Sequence, residues 1–455
     1  MRKIAIALLL IGALALGACT AAEEATEVPA PTEPPPPATE APEPEPEPTV
    51  DEGMSNCETG YVGETMTWYS QAGLTGALAT ILGPSFVNGT QDAIEDINAE
   101  GGVCGVQVDL NLTDTQYDPE QEIAAYEVNR AADPKPMFIL TYASPATIVL
   151  KDRVVEDHIV NFAAGLNAAA AYDPADGWTV LLAPIYSDQF AGFVKWVSDN
   201  WDSVKPEGAG DDIVVGVVGW EGSFGAGATT ENSIAYAESI GATVLPLETI
   251  PVSPEADPTG AIQNLQLSGA NVIYIQNLGF GTAQVIGTIR ALGVWDDFVV
   301  GGVNWTMNQD VLTILGDSAA AMNGYYAPTS FLWWNDTDDP GVQQVLEAFE
   351  ARDYPESDKQ VGYLISYGGI MAAASIVEDA INEVGFENLD GDAFFDAMKA
   401  RGLVSGPAAP YLFDVRDGNR APNQVQIRQA QAGADGVEFV VVEDFFELPD
   451  TRPGG

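Results

Sequence analysis

The sequence predicts an α/β protein built as two similar lobes, each a mostly parallel sheet flanked by helices. Three observations predict it. Short apolar, strand-like runs alternate with helix-like segments along most of the chain. Alternation of that kind implies parallel sheets joined by right-handed crossovers. The pattern then restarts near the middle with similar order and spacing, although no repeat is visible residue by residue. A length of 455 residues accommodates two or three domains.

Thr65 to Ser70 reads as the first strand. Helical spacing from Val87 to Ala99 stops at Gly101-Gly102, a sound helix terminator. Val106 to Leu112 alternates as a strand. Asp118-Pro119 opens a helix that runs through Ala131, with Asp as N-cap and Pro in the first turn. Pro136 to Thr141 is a strand, Ala146 to Glu156 a helix and Ile159 to Phe162 a short strand. Trp178 to Leu182 and the helix Asp188 to Trp201 lead into the second half.

There, Ile213 to Val218 is a fully apolar strand. A Gly-rich turn over Gly219 to Gly227 leads to the helix Ala228 to Ile240. Strand Thr243 to Ile250, helix Pro258 to Ser268, strand Asn271 to Gln276, helix Thr282 to Leu292 and strand Phe298 to Gly301 follow. The C-terminal part departs from alternation. Helices near Gly341 to Ala351, Gln360 to Val384 and Asp392 to Ala400 precede strands Tyr411 to Val415, Gln424 to Gln429 and Val437 to Val442. Within the second helix, the apolar run Tyr363 to Val377 is interrupted by Ser366, Gly368, Gly369 and Ser375. It is too short for a membrane span and reads as a core helix. Asp414 to Asn419 lacks the EF-hand ligand spacing and reads as a hairpin turn between strands.

The first fifty residues read as an address and a tether. A basic start, Arg2-Lys3, precedes the apolar run Ile4 to Ala18, as in a signal peptide. Leu16-Gly17-Ala18-Cys19 resembles the bacterial lipobox, so residues 1–18 are expected to be removed and the Cys19 thiol to carry a lipid. Thr20 to Val50 holds ten Pro, eight Glu and no basic residue. Such a segment cannot bury enough apolar surface to offset its ordering entropy, and residues 19–52 are expected to be a disordered, extended linker. Two cysteines in an exported domain more often pair than not, so a Cys57–Cys104 disulfide is expected.

Composition excludes several functions. The formal net charge of -50 repels nucleic acid rather than releasing counterions from it. One His and three Cys leave little room for a zinc site or a Cys/His catalytic pair. Gly222-Ser223-Phe224-Gly225 lacks the Gly two residues before Ser that a nucleophile elbow needs, and no P-loop, His-Glu-x-x-His or strand-borne Gly-x-Gly-x-x-Gly is present. An enzyme, a metal and a cofactor are therefore not expected. The acidic surface suits an exposed protein or a salty habitat.

Binding signals are better. Open α/β sheets bind ligands beyond the carboxyl ends of their strands, where helices begin and free N–H groups attract anions. In lobe one, Ser144 reads as an N-cap with Pro145 in the first helical position. Its hydroxyl and the N–H groups of Ala146 and Thr147 can hold a carboxylate. Gly165 and Asn167 lie on the next strand end of the same rim. In lobe two the matching rims carry Glu221 and Phe224, then Phe280, then Asn304 and Trp305. Aromatics there can cover an apolar ligand part, and Glu221 or Asn304 can meet an amine.

Ile97-Asn98-Ala99-Glu100-Gly101-Gly102-Val103-Cys104-Gly105, followed by Asp114 and Asp118-Pro119, resembles the signature of the leucine/isoleucine/valine-binding periplasmic proteins of ABC transporters. Ile139 to Asn167 is similar in length and order to that family's serine loop and following strand, and Gly222 to Gly227 resembles its aromatic-Gly turn. Asp188-Gln189 and the strand ends around Asp417-Gly418 also fit. The resemblance implies a type I periplasmic-binding fold with three interlobe crossovers. Lobe one is expected over 57–184 and 324–408, lobe two over 185–323 and 409–446. It also implies that Ser144, Gly165 and Asn167 hold a ligand carboxylate, that Phe224 covers the ligand, and that Phe280, Asn304 and Trp305 lie near second-lobe contacts.

Departures from the pattern narrow the ligand. Leu82 stands near a position where some members have Tyr, and Asn167 stands where Thr is common. Around Asn304 the resemblance implies an acid for the ligand ammonium, and none stands there. A neutral amide is a weaker partner for a cation than a carboxylate. Either Glu221 takes that role or the ligand is not a plain α-amino acid. The expectation is a monomeric, lipid-anchored, extracytoplasmic solute-binding protein that delivers a small amino acid-like ligand to an ABC permease in the membrane. A ligand-sensing ectodomain, the same transport role with an amide, urea or carboxylate ligand, and an exported hydrolase are the rival readings.

Overall fold

A computed structural model describes residues 57–453, apart from residues 58, 59, 77 and 435. The expected signal peptide, Cys19 and the linker to residue 52 lie outside the described residues.

The first sheet holds β1 (Thr65–Ala72), β2 (Gln107–Asp114), β3 (Phe138–Thr141), β4 (Val160–Ala163) and β5 (Thr179–Leu181). Its order is β2-β1-β3-β4-β5, and every pair is parallel. The helices between these strands are α1 (Asn88–Ala99), α2 (Pro119–Asn129), α3 (Ser144–Asp157) and the short α4 (Ala168–Tyr172). Asp118 caps α2 as expected, its side chain accepting from the N–H groups of Glu120 and Gln121. Ser144 is not an N-cap. Helix α3 starts one residue earlier than the Ser-Pro pair suggested, so Ala143 occupies the cap position and the Ser144 hydroxyl points elsewhere.

A second sheet is built by β6 (Ile213–Trp220), β7 (Ala242–Val244), β8 (Glu248–Ile250), β9 (Val272–Gln276), β10 (Val299–Gly302) and β11 (Tyr326–Thr329). The strand expected over Thr243 to Ile250 is two pieces, because Pro246 has no N–H to give to a ladder. Helix α5 (Tyr186–Asp199) leads into this sheet. Between its strands run α6 (Glu231–Ser239), α7 (Thr259–Leu267), α8 (Gly279–Leu292) and α9 (Gln309–Leu315). The chain then returns to the first lobe with α10 (Pro340–Glu350), α11 (Val361–Val384) and α12 (Gly391–Arg401). Helix α11 packs on α1. It is long and apolar enough to cross a membrane, but it is almost wholly buried in the protein. Its glycines allow close approach: a Cβ at Gly362 would lie 2.9 Å from the Ser85 Cβ.

Strands β12 (Leu403–Gly406) and β13 (Ala409–Asp414) form a separate antiparallel pair against α11. Strands β14 (Gln424–Gly433) and β15 (Gly436–Glu447) close the second sheet, whose order is β15-β14-β11-β10-β9-β6-β7 with β8 also on β6. Three expectations change. Strand β11 belongs to the second sheet, although lobe one was expected to resume at residue 324. The strand expected at Tyr411 to Val415 pairs with β12 and not with the closing strands. Asp414 to Asn419 is consequently a passage between lobes rather than a hairpin turn. The chain passes between the two sheets over 182–212, 330–339 and 415–423.

Cys57 is bonded to Cys104, with Cα atoms 5.4 Å apart, and the Tyr61 N–H donates to the Cys104 carbonyl at 2.7 Å. The bond fixes the chain just ahead of β1 to the turn that follows α1.

Candidate ligand-binding cleft

Strand order reverses in each sheet, at β1 and β3 in the first and at β6 and β9 in the second. A crevice opens at such switch points beyond the carboxyl ends of the strands. Here the crevices of the two sheets face one cavity, with about 460 Å³ of non-atom space, part of it continuous with solvent.

Lobe one brings Ser144, Tyr142, Tyr117 and Phe86 to the cavity, lobe two brings Phe224, Leu278, Trp305 and Asp310, and Tyr186 joins them from the first residue of α5. The Ser144 hydroxyl is 3.2 Å from the Tyr186 hydroxyl, which accepts from the Trp305 indole N–H at 3.2 Å. Tyr142 and Thr90 share a hydroxyl contact of 2.6 Å. The Phe86 ring lies 4.7 Å from Tyr142 and 5.8 Å from Trp305, and Phe224 meets Tyr186 edge to face at 5.2 Å. Ser144 and Phe224 thus confront one another across a groove between the lobes.

Tyr117 reaches the cavity through a strained turn. Gln116 and Tyr117 both have left-handed backbones, φ 54° and 61°. Non-glycine residues there cost about 1–3 kcal/mol each and persist only when their surroundings hold them. Asp114 does the holding. Its Oδ1 accepts from the N–H groups of Leu74 at 3.0 Å, Thr75 at 3.2 Å and Gln116 at 3.0 Å, and its Oδ2 from the Thr75 hydroxyl at 2.6 Å. Burial pushes this carboxyl up, but the hydrogen bonds outweigh burial and hold it below the usual range.

Asp310 is the unexpected member. It stands in the first turn of α9, buried, and neither carboxyl oxygen makes a well-formed protein hydrogen bond. Burial pushes its pKa up to about 7, against smaller downward pulls from the Val311 N–H and the Asn308 side chain. A Cβ at Gly279 would lie 2.6 Å from Asp310 Oδ2 and 3.1 Å from Ile81 Cδ1, so only glycine leaves the carboxyl its place between α8 and lobe one. Among the described residues, no Lys, Arg or His lines the cavity.

The other expected site residues have different duties. Gly165 lets the chain approach Ser144: a Cβ there would meet the Ala143 carbonyl and the Ser144 Cα, each at 2.6 Å. The Asn167 amide donates to the Ser223 carbonyl at 2.7 Å, a strap across the lobes rather than a wall of the cavity. Phe280 packs on Trp220 at 5.0 Å, behind the lining. The Asn304 side chain is buried outside the lining with no hydrogen-bond partner, while its N–H donates to Gln189 Oε1 at 3.0 Å. Glu221 is exposed and does not line the cavity. Sequence reasoning missed Tyr117, Tyr186 and Asp310. Tyr142 stood within the serine loop but was not singled out.

Two lobes with the carboxyl ends of their parallel strands turned toward one aromatic-lined cavity define a solute-binding protein of the type I periplasmic-binding fold. The chain belongs to the periplasmic binding protein family, whose model matches residues 72–436. The family places its work outside the cytoplasm. A Leu/Ile/Val-binding protein homolog 1 from Brucella abortus (strain 2308) is 22% identical over 360 residues, 78% of this chain and 88% of that one. Among solved structures, a branched chain amino acid ABC transporter protein from Thermus thermophilus with bound valine has TM-score 0.70 and 19% identity, covering 85% of this chain and 97% of its own. A fatty acid ABC transporter substrate-binding protein from Thermomonospora curvata has TM-score 0.71 and 20% identity, covering 87% and 97%. A solute binding protein from Rhodopseudomonas palustris BisB5 in complex with 3,4-dihydroxy benzoic acid has TM-score 0.67 and 14% identity, covering 85% and 98%. These neighbours share the fold and differ in ligand.

Proposed function

We propose that this protein is the lipid-anchored solute-binding component of an ABC importer and captures a small amino acid-like ligand for a membrane permease. The observation that carries the ligand class is Asp310. A buried carboxylate with only weak contacts, here to the Val311 N–H and the Asn308 side chain, is costly, and it becomes favourable when a cation meets it. A ligand ammonium is that cation. At the other end, the Ser144 hydroxyl stands in the first turn of the fourteen-residue helix α3, where free N–H groups favour an anion. The apolar lining of Ile81, Leu82, Phe86 and Leu278 receives the ligand's body. The ligand favours the closed lobe arrangement, and the permease reads that state. Catalysis has no part in this reading.

A thermal-shift screen of amino acids, their deaminated counterparts, amides, benzoates and fatty acids tests it. Stabilisation by an amino acid and not by its deaminated counterpart is the expected result. Preference for a benzoate or a fatty acid overturns the ligand class. The raised pKa of Asp310 supports a second reading, in which a protonated carboxyl donates to a neutral amide or urea. Calorimetry across pH separates the two: affinity for an ammonium falls as Asp310 takes up its proton, and affinity for an amide acceptor rises.

A further inference from the structure

The chain does not stop at the end of β15. Residues 448–452 turn back over the first and third passages between the lobes. Leu448 donates its N–H to the Asn423 carbonyl at 2.7 Å, and its side chain fills a groove that exists because residue 192 is glycine. Buried Thr451 donates both its N–H and its hydroxyl to Asp188 Oδ1, at 2.8 and 2.7 Å. Asn232 on α6 donates to the Thr451 and Arg452 carbonyls at 3.2 and 2.9 Å.

Arg452 then reaches away from this anchor. Its Nη1 donates to Asn419 Oδ1 at 2.7 Å, and its guanidinium lies 5.7 Å from the centre of the Tyr172 ring. Asn419 lies on the third passage, and Tyr172 closes α4 in lobe one. At the other end, Asp188 shares the first turn of α5 with Tyr186, which lines the ligand cavity, and Gln189, which holds the Asn304 backbone. Five residues of tail therefore join the turn that presents Tyr186 to a passage and to a ring of the opposite lobe.

We propose that residues 448–452 are a clasp on the hinge, with Asp188 and Thr451 acting as positioning residues for Tyr186 and Arg452 holding the lobes closed. This goes beyond the ligand assignment and holds for whichever solute binds. Lobe closure turns about the passages between lobes. A segment bonded to two passages and to a lobe-one ring has to break a contact when the lobes part. The Thr451–Asp188 end is buried and sits on α5, which packs against α6 and β11 of lobe two, so it travels with that lobe. The Arg452 end is half-buried and is the end that lets go.

The test uses the full-length protein without added solute. Spin labels are introduced as unnatural amino acids at exposed Val128 in lobe one and exposed Leu267 in lobe two, and interlobe distances are measured. Arg452→Gln is expected to raise the long-distance, open population about threefold, with Arg452→Lys between it and wild type. Thr451→Val is expected to do the same, and Thr451→Ser to restore the wild-type distribution. Melting temperature separates a hinge role from a merely structural one, because Arg452→Gln should leave it unchanged. Wild-type distance distributions in both Arg452→Gln and a chain ended after Glu447 overturn the proposal. Arg452→Gln alone decides the matter if Thr451→Val does not fold.

Discussion

Lobe one brings hydroxyls to the cavity, and the Tyr142 and Ser144 hydroxyls already have partners. Tyr142 is paired with Thr90, and Ser144 with Tyr186. Lobe two brings rings and one acid, and the acid has no well-formed partner in the protein. The first wall's hydroxyls are already partnered, Ser144 by a residue of the first passage, and offer an anion a modest, prearranged seat. The second concentrates its electrostatic energy on Asp310, where a cation, as in the proposed ligand, would change an unfavourable burial into a favourable pair. On the proposed function, recognition of ligand charge would fall chiefly to lobe two and orientation of the ligand chiefly to lobe one.

The largest expected effect follows from removing that acid. Asp310→Asn should weaken binding of the best amine ligand by about 2–5 kcal/mol, measured by calorimetry. The same substitution should raise the melting temperature, since it removes a buried ionisable group. Unchanged affinity in Asp310→Asn would break the proposed division between the walls. The pH dependence has two signs. The folded-state pKa of Asp310, pushed up to about 7, lies above the value of an ordinary carboxyl. The folded protein therefore holds the proton more firmly than the unfolded chain. Stability from this group is full below pH of about 4 and declines as pH rises toward 7. Affinity for an ammonium ligand runs the other way and rises with pH through the same window. Both slopes should vanish in Asp310→Asn, as urea unfolding and calorimetry at several pH values would show.

A smaller effect is expected from lobe one. Ser144→Ala should cost about 1–3 kcal/mol of ligand affinity if the hydroxyl pairs with a carboxylate. Equal losses in Ser144→Ala and Asp310→Asn would erase the asymmetry, and no loss in Ser144→Ala would refute its assignment. The smallest effect belongs to Glu221→Gln. An exposed rim charge off the cavity should shift affinity by at most about twofold, ~0.4 kcal/mol. A larger change would return Glu221 to the candidates for the ammonium.

Much of this architecture is legible in the amino-acid sequence. Strand and helix periods located nearly every element, and the strand-end rule pointed to Ser144, Phe224 and Trp305. What failed lies just past strand ends, where alternation stops. Asn304 opens a 3-10 turn, Asn304–Thr306, in which neighbouring side chains no longer take opposite faces. Trp305 faces the cavity and Asn304 turns inward, an outcome no period-2 pattern carries. Asp310 was hidden for another reason. An acid in a first helical turn is common in any sequence. Its isolation comes from α8, Gly279 and Ile81, which are distant along the chain. Tyr186 likewise gains its role only because the first passage brings α5 to the seam.

The Cys57–Cys104 bond has a mechanical consequence. Strand β1 lies between β2 and β3, inside its sheet. Tension entering along the chain ahead of Cys57 reaches a covalent cross-link before it reaches Thr65. Part of the load passes into the turn after α1, and β1 is less exposed to being unzipped from its neighbours. A pull entering ahead of Cys57 is thus shared between the run to Thr65 and the turn after α1, instead of falling on β1 alone.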